Sequence, residues 1–124
     1  MATVLIADDY DSQRELYELA LRYAGFAVHG AAEGEQALAL VRGTQPDVVV
    51  LDLAMPKIDG WEVCRRLKAD PATRSIPIIV ITAHAVPGVR ESAEHAGCDA
   101  YLTKPCMPDE LVAAVRQQLN RPVG

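Results

Sequence analysis

The sequence predicts an α/β domain in which five strands alternate with five helices around one parallel sheet. Three observations carry this. Five short apolar runs recur along the chain, segments of helical period lie between them, and three of the runs are continuous and rich in Val, Ile and Leu. An unbroken run suits a strand buried on both faces, as in a parallel sheet covered by helices.

The first run is Val4-Leu5-Ile6-Ala7. After it, Leu16, Leu19, Ala20, Tyr23 and Ala24 fall at i, i+3, i+4, i+7 and i+8, which predicts one face of a helix. Asp11 or Ser12 is placed to cap its start, and Gly25 sits where a glycine ends a helix. The second run, Phe26-Ala27-Val28-His29, is mixed and predicts an edge strand. Ala37, Leu38 and Val41 predict a shorter helix that ends before Gly43.

The third run, Val48-Val49-Val50-Leu51, is again unbroken. Val63, Cys64 and Leu67 give a third helical stripe, preceded by Asp59-Gly60-Trp61-Glu62, a variant of the capping box. The fourth run is Ile78-Ile79-Val80-Ile81-Thr82. From Gly88 to Ala96 the apolar residues are small (Val89, Ala93, Ala96), which predicts a weakly anchored helix. The fifth run is Ala100-Tyr101-Leu102. Leu111, Val112, Val115 and Leu119 predict the last helix, with Pro108 in its first turn.

Alternation at this spacing implies βα units with helices on both faces of the sheet. Right-handed crossovers leave few topologies. The expected one is the flavodoxin-like (βα)5 doubly wound sheet of order 2-1-3-4-5. Neither repeat, low-complexity stretch nor linker interrupts the chain, so 1–124 reads as a single domain with its core at about 3–119.

Composition narrows the function. The 124 residues include 12 basic and 17 acidic side chains, for a net charge of −5. That balance argues against direct nucleic-acid binding by this domain. The apolar runs are too short to span a membrane, and the N-terminus lacks the basic region of a signal peptide. Cys64, Cys98 and Cys106 form no CxxC pair, and His95 with Cys98 lacks the second pair that zinc would need. The expectation is a cytoplasmic protein with reduced thiols. His29 and His95 are expected at the surface, and Trp61 partly buried.

Ligands of an open α/β sheet bind beyond the carboxyl ends of its strands. Asp8 and Asp9 follow the first run, Asp52 ends the third, Thr82 ends the fourth, and Lys104 follows the fifth. In the expected order these would meet at one end of the sheet. Three carboxylates placed together repel, and a hard divalent cation such as Mg²⁺ would compensate them. A carboxylate beside Mg²⁺ and an ammonium can attack phosphorus to give an acyl phosphate, whose oxygens Thr82 could contact.

These residues resemble the receiver domain of two-component response regulators. The likeness runs from about Thr3 to Leu119 and includes Asp8-Asp9, Asp47 to Pro56 with Asp59-Gly60, Ile81-Thr82-Ala83, and Ala96 to Pro105. The resemblance implies that Asp52 is the phosphoacceptor. It implies Mg²⁺ (or Mn²⁺) on Asp9, Asp52 and the Ala54 backbone carbonyl, with Asp8 holding the metal's waters. Lys104 would contact the phosphoryl group, the Lys104-Pro105 bond would be cis, and Thr82 with Tyr101 would form a switch pair. Ala54 and His84 occupy positions that tune the phosphoryl lifetime in the family. The implied donor is a histidine kinase or histidine phosphotransfer protein. The implied target, a downstream protein or an output domain, would read the face formed by the fourth helix, fifth strand and fifth helix.

A stand-alone switch and a receiver fragment of a larger regulator or hybrid kinase share every motif. An aspartyl-nucleophile phosphatase resembling haloacid dehalogenases would need a second Asp where Ala54 stands. A flavin protein would need a Ser-, Thr- and Gly-rich loop where Asp8-Asp9-Tyr10-Asp11 stands. A degenerate scaffold would not need the complete set of Asp, Thr and Lys residues.

Overall fold

A computed structural model describes residues 1–83 and 88–120. The elements alternate as β1 (Thr3–Ala7), α1 (Asp11–Tyr23), β2 (Ala27–Ala31), α2 (Gly34–Thr44), β3 (Val48–Asp52), α3 (Gly60–Ala69), β4 (Ile78–Thr82), α4 (Val89–Ala96), β5 (Ala100–Thr103) and α5 (Pro108–Leu119). The strands form one sheet of order β2-β1-β3-β4-β5, every pair parallel. The expected doubly wound order is therefore the observed one, with the mixed second strand at an edge.

Successive residues of a strand face opposite sides of the sheet, and the core divides accordingly. Leu5, Val49, Leu51, Ile78 and Val80 pack beneath α2 and α3, with Ala96 of α4. Val4, Ile6, Val48, Val50, Ile79 and Ile81 pack beneath α1 and α5. All five residues of β3, and of β4, are buried. At about 1.5–3 kcal/mol for each fully buried large aliphatic side chain, these two strands anchor the domain.

The stripe expected to face inward from α1 does not. Leu16, Leu19 and Tyr23 are 52%, 66% and 95% exposed, whereas Tyr17 and Leu21 are buried. The helix carries two overlapping apolar faces. Ala20 and Ala24 pack partly against the core from the edge they share. Docking against the sheet turns Tyr17 and Leu21 inward.

The start of α1 also differs from expectation. Tyr10 occupies the cap position without a side-chain cap bond, and Asp11 already lies in the first turn. There Asp11 pairs with Arg14 at 2.8 Å. Helix α2 passes through Gly43 and closes at Gln45 in the left-handed region (φ +49). The Gln45 N–H still reaches the Val41 carbonyl at 2.9 Å, so glycine did not stop the helix. Only half of the capping box forms at α3. The Asp59 carboxylate accepts from the Glu62 N–H at 2.9 Å, while the Glu62 carboxylate is held by Arg65 and Arg66. Helix α4 buries Val89, Ala93 and Ala96 between left-handed glycines at 88 and 97. His29 and His95 are exposed and Trp61 is half-buried.

Candidate functional site

The parallel sheet delivers one chemical group from each of β1, β3, β4 and β5 to the same end. Asp8 leaves β1, Asp52 ends β3, Thr82 ends β4 and Lys104 leaves β5. Asp8 and Asp52 are only 2% and 4% exposed, and Thr82 is buried. The Lys104 ammonium donates to Asp52 Oδ2 at 2.8 Å. The other Asp52 oxygen accepts from the Ala54 N–H at 2.9 Å, and Asp8 Oδ1 accepts from the Tyr10 N–H at 2.9 Å.

Backbone bonds fix these groups. The Lys104 N–H donates to the Thr82 carbonyl at 2.8 Å, which ties the lysine to the end of β4. The Leu53 N–H donates to the Ile81 carbonyl at 2.8 Å and holds the chain just past Asp52. Arg14 Nη1 donates to the Asp8 carbonyl at 2.6 Å. The peptide between Lys104 and Pro105 is cis.

The electrostatics follow from burial. Burial pushes the Asp8 carboxyl up to about 6, and the charge of Asp52 adds to this, while the Tyr10 N–H and Lys104 oppose it. Burial works against the Lys104 charge, but the hydrogen bond and charge of Asp52, with Asp8, outweigh it and raise its pKa. Two buried carboxylates thus share one ammonium. When both are ionised the site keeps a net negative charge.

Asp9, the third expected carboxylate, is exposed, whereas Asp8 and Asp52 are buried. Among the described residues no three His, Cys, Asp or Glu side chains form a metal-holding group. The pair still suits a cation. Its donors are hard oxygens, and a cation there would offset the burial and the like charge of Asp52 that raise the Asp8 pKa.

Tyr101, paired in register with Val80, is 38% exposed. Ala54 is exposed. His84 lies outside the described residues. Two contributors escaped the sequence reading. The Tyr17 hydroxyl donates to the Cys106 carbonyl at 2.8 Å, bracing the segment after Lys104. Gly60 lets α3 start against the end of β3, since a Cβ there would stand 2.8 Å from the Asp52 carbonyl oxygen. The first was hidden because Tyr17 lies beside the stripe that spacing picked out. The second was signalled by the Asp59-Gly60 pair.

Comparisons with known proteins agree with this geometry. The family model described as response regulator receiver domain matches residues 4–116. The chain is 39% identical, over 98% of its length, to the DNA-binding dual master transcriptional regulator RpaA of Synechocystis sp., of which it covers 50%. The chain spans about half the length, or less, of the curated relatives it matches. Among solved structures, it superposes on the Vibrio cholerae chemotaxis protein CheY4 with a TM-score of 0.91 at 30% identity, covering 96% of this chain and 99% of that one. It superposes equally well, with a TM-score of 0.90 at 30% identity, on the signal receiver domain of a signal transduction histidine kinase from Syntrophus aciditrophicus, covering 99% of this chain and 96% of that one. Among the described residues no helix is long and apolar enough to cross a membrane.

Proposed function

The chain belongs to the receiver-domain family of two-component response regulators, and from that premise we propose that it switches state when Asp52 takes up a phosphoryl group. The observation that carries this is the Asp52 carboxylate, buried at the end of β3, hydrogen-bonded to Lys104 at 2.8 Å and set beside a second buried carboxylate.

An Asp52 oxygen attacks the phosphorus of a phosphohistidine on a kinase or phosphotransfer protein, forming an acyl phosphate. The bond from phosphorus to the imidazole nitrogen breaks, and the imidazole leaves with that electron pair. Lys104 would follow the phosphoryl oxygens and offset their charge. Asp8, Asp9, Asp52 and the Ala54 carbonyl would hold Mg²⁺ (or Mn²⁺). When bound, the cation neutralises charge at the phosphoryl group and so favours both uptake and loss. Hydrolysis of the acyl phosphate by water resets the switch, and Ala54 and His84 would set its pace. The chain's only chemistry would be this self-phosphorylation and its reversal.

The signal would pass through Thr82 and Tyr101. The Thr82 hydroxyl, at the end of β4, would turn to the phosphoryl group, and the half-exposed Tyr101 ring would move inward. That would reshape the face of α4, β5 and α5 for a downstream protein or an output domain. In physical terms a new charge biases a two-state equilibrium. A stand-alone cytoplasmic switch and the receiver segment of a larger regulator or hybrid kinase would use the same site.

The test is incubation with acetyl phosphate and Mg²⁺, read by intact mass, beside Asp52→Asn and an EDTA control. One added phosphoryl group in the wild type with Mg²⁺ alone is expected. Uptake retained by Asp52→Asn would move the acceptor elsewhere.

A further inference from the structure

Arg14 lies near the start of α1, and its side chain is only 15% exposed. The stem crosses β2 at Gly30, where a Cβ would stand 3.4 Å from Arg14 Cδ. The two terminal nitrogens hold different acceptors. Nη1 donates to the Asp8 carbonyl at 2.6 Å, and Nη2 meets Asp11 Oδ1 at 2.8 Å. A guanidinium is a rigid planar fork, so it holds both acceptors in one fixed geometry.

Ordering and covering an arginine costs side-chain freedom and hydration. Its ion pair with Asp11, which is 73% exposed, returns little of that. The short bond to the Asp8 carbonyl is the contact that distinguishes Arg14 from an ordinary surface arginine. That carbonyl belongs to the peptide joining Asp8 to Asp9. A peptide unit is planar, so the direction of its oxygen sets the direction in which Asp9 leaves. Other parts of Asp8 are fixed by other bonds. Its N–H donates to the Ala31 carbonyl at 3.0 Å, and its carboxylate accepts from the Tyr10 N–H at 2.9 Å. Arg14 adds the hold on the peptide between the two aspartates.

We propose that Arg14 is a positioning residue for the cation site. By gripping the Asp8 carbonyl and Asp11 together, it sets the Asp8–Asp9 peptide so that the buried Asp8 and the exposed Asp9 present their carboxylates to one Mg²⁺. The role rests on the reading above, in which Asp8 and Asp9 hold that cation. The sign of the effect separates position from charge. A guanidinium acting by its charge would repel Mg²⁺, and its loss would tighten binding. A guanidinium acting by position has the opposite effect.

The test is a titration of Mg²⁺ alone into the ¹⁵N-labelled chain at fixed ionic strength, followed by amide shifts, with no phosphoryl donor present. Arg14→Met keeps the stem and removes the fork. It should weaken Mg²⁺ binding about tenfold, the low end of what the outer partners of metal ligands contribute. Arg14→Lys keeps the charge but cannot span both acceptors, and should weaken binding about threefold. Affinity is read on folded protein, checked by circular dichroism, so a loss of stability does not imitate the effect. If Arg14→Met does not fold, Arg14→Lys decides by itself, since its charge is that of the wild type. Binding by Arg14→Met as tight as wild type or tighter, or by Arg14→Lys equal to wild type, would overturn the role of Arg14 and leave the cation site standing. A wild type that takes no Mg²⁺ would remove the cation site and this role with it.

Discussion

Tyr17 and Cys106 stand 89 residues apart in sequence and are joined in the interior by one hydrogen bond, Tyr17 hydroxyl to Cys106 carbonyl, at 2.8 Å. Gln13 Nε2 donates to the same hydroxyl at 3.3 Å. Cys106 follows Lys104 by two residues, so this bond fastens helix α1 to the segment that carries the ammonium of the site. Tyr17→Phe leaves the buried carbonyl without its donor at a cost of about 1–3 kcal/mol. Urea unfolding should show that loss, and acetyl phosphate uptake should slow. In a Lys104→Met background the effect on uptake should vanish while the stability loss remains. An equal slowing in both backgrounds would mean that Tyr17 does not act through Lys104.

Asp8 sets a pH dependence whose sign can be worked out. Its folded pKa, about 6, lies above the ordinary 3.8. The folded state therefore holds the proton more tightly than the unfolded chain does. That contribution to stability is complete below the unfolded pKa and is lost as pH rises through about 6, a change on the order of 3 kcal/mol. Mg²⁺ would have to displace this proton. Its stabilising effect should thus be larger at pH 7.5 than at pH 5, read as the shift in melting temperature on adding Mg²⁺. Equal shifts at both pH values would separate the cation from Asp8.

Removing the ammonium should expose how strongly the carboxylates are coupled. Lys104→Met deletes the charge that opposes protonation of Asp8. The Asp8 carboxyl should then titrate above its wild-type value, measured by carbon NMR of the side-chain carboxyls. Phosphoryl uptake from acetyl phosphate should fall by about 10²-fold, as for other single electrostatic contacts to a transferring group. An unmoved Asp8 titration would show that the two groups act separately.

Two glycines should respond in opposite directions to alanine. A Cβ at Gly60 would stand 2.8 Å from the Asp52 carbonyl oxygen and 2.9 Å from Leu53 Cα, both backbone atoms that cannot step aside. Gly60→Ala should cost about 2 kcal/mol or more, as overpacking does, and should disturb uptake as well. At Gly43, inside α2, nothing lies within 4 Å. Gly43→Ala should stabilise by about 0.5–1 kcal/mol, the helix preference of alanine over glycine, and leave uptake unchanged. Thermal unfolding of the pair side by side checks both signs.

Much of this was legible in the chain. Val48 to Asp52 and Ile78 to Thr82 announce strands covered on both faces, and the structure buries all ten residues. The positions of Asp8, Asp52, Thr82 and Lys104 just at or after strands place them at one sheet end once the order is known. The failures are equally specific. Periodicity on α1 chose Leu16, Leu19 and Tyr23 over Tyr17 and Leu21 because both sets recur at helical spacing. The expected end before Gly43 fails because a helix tolerates an isolated glycine at a cost of about 1 kcal/mol, and α2 runs on to Thr44.

The sequence by itself determined the element order, the sheet's buried strands and the residue types available for chemistry, because those depend on local propensity and periodicity. Only the tertiary structure decided which face of α1 meets the core, that Asp8 and Asp52 are buried together while Asp9 is exposed, and that Tyr17 braces the Lys104 segment. These outcomes rest on contacts between residues far apart in the chain. Burial, charge and hydrogen-bond geometry at such contacts are set when the layers dock, and spacing along the chain carries no record of that docking.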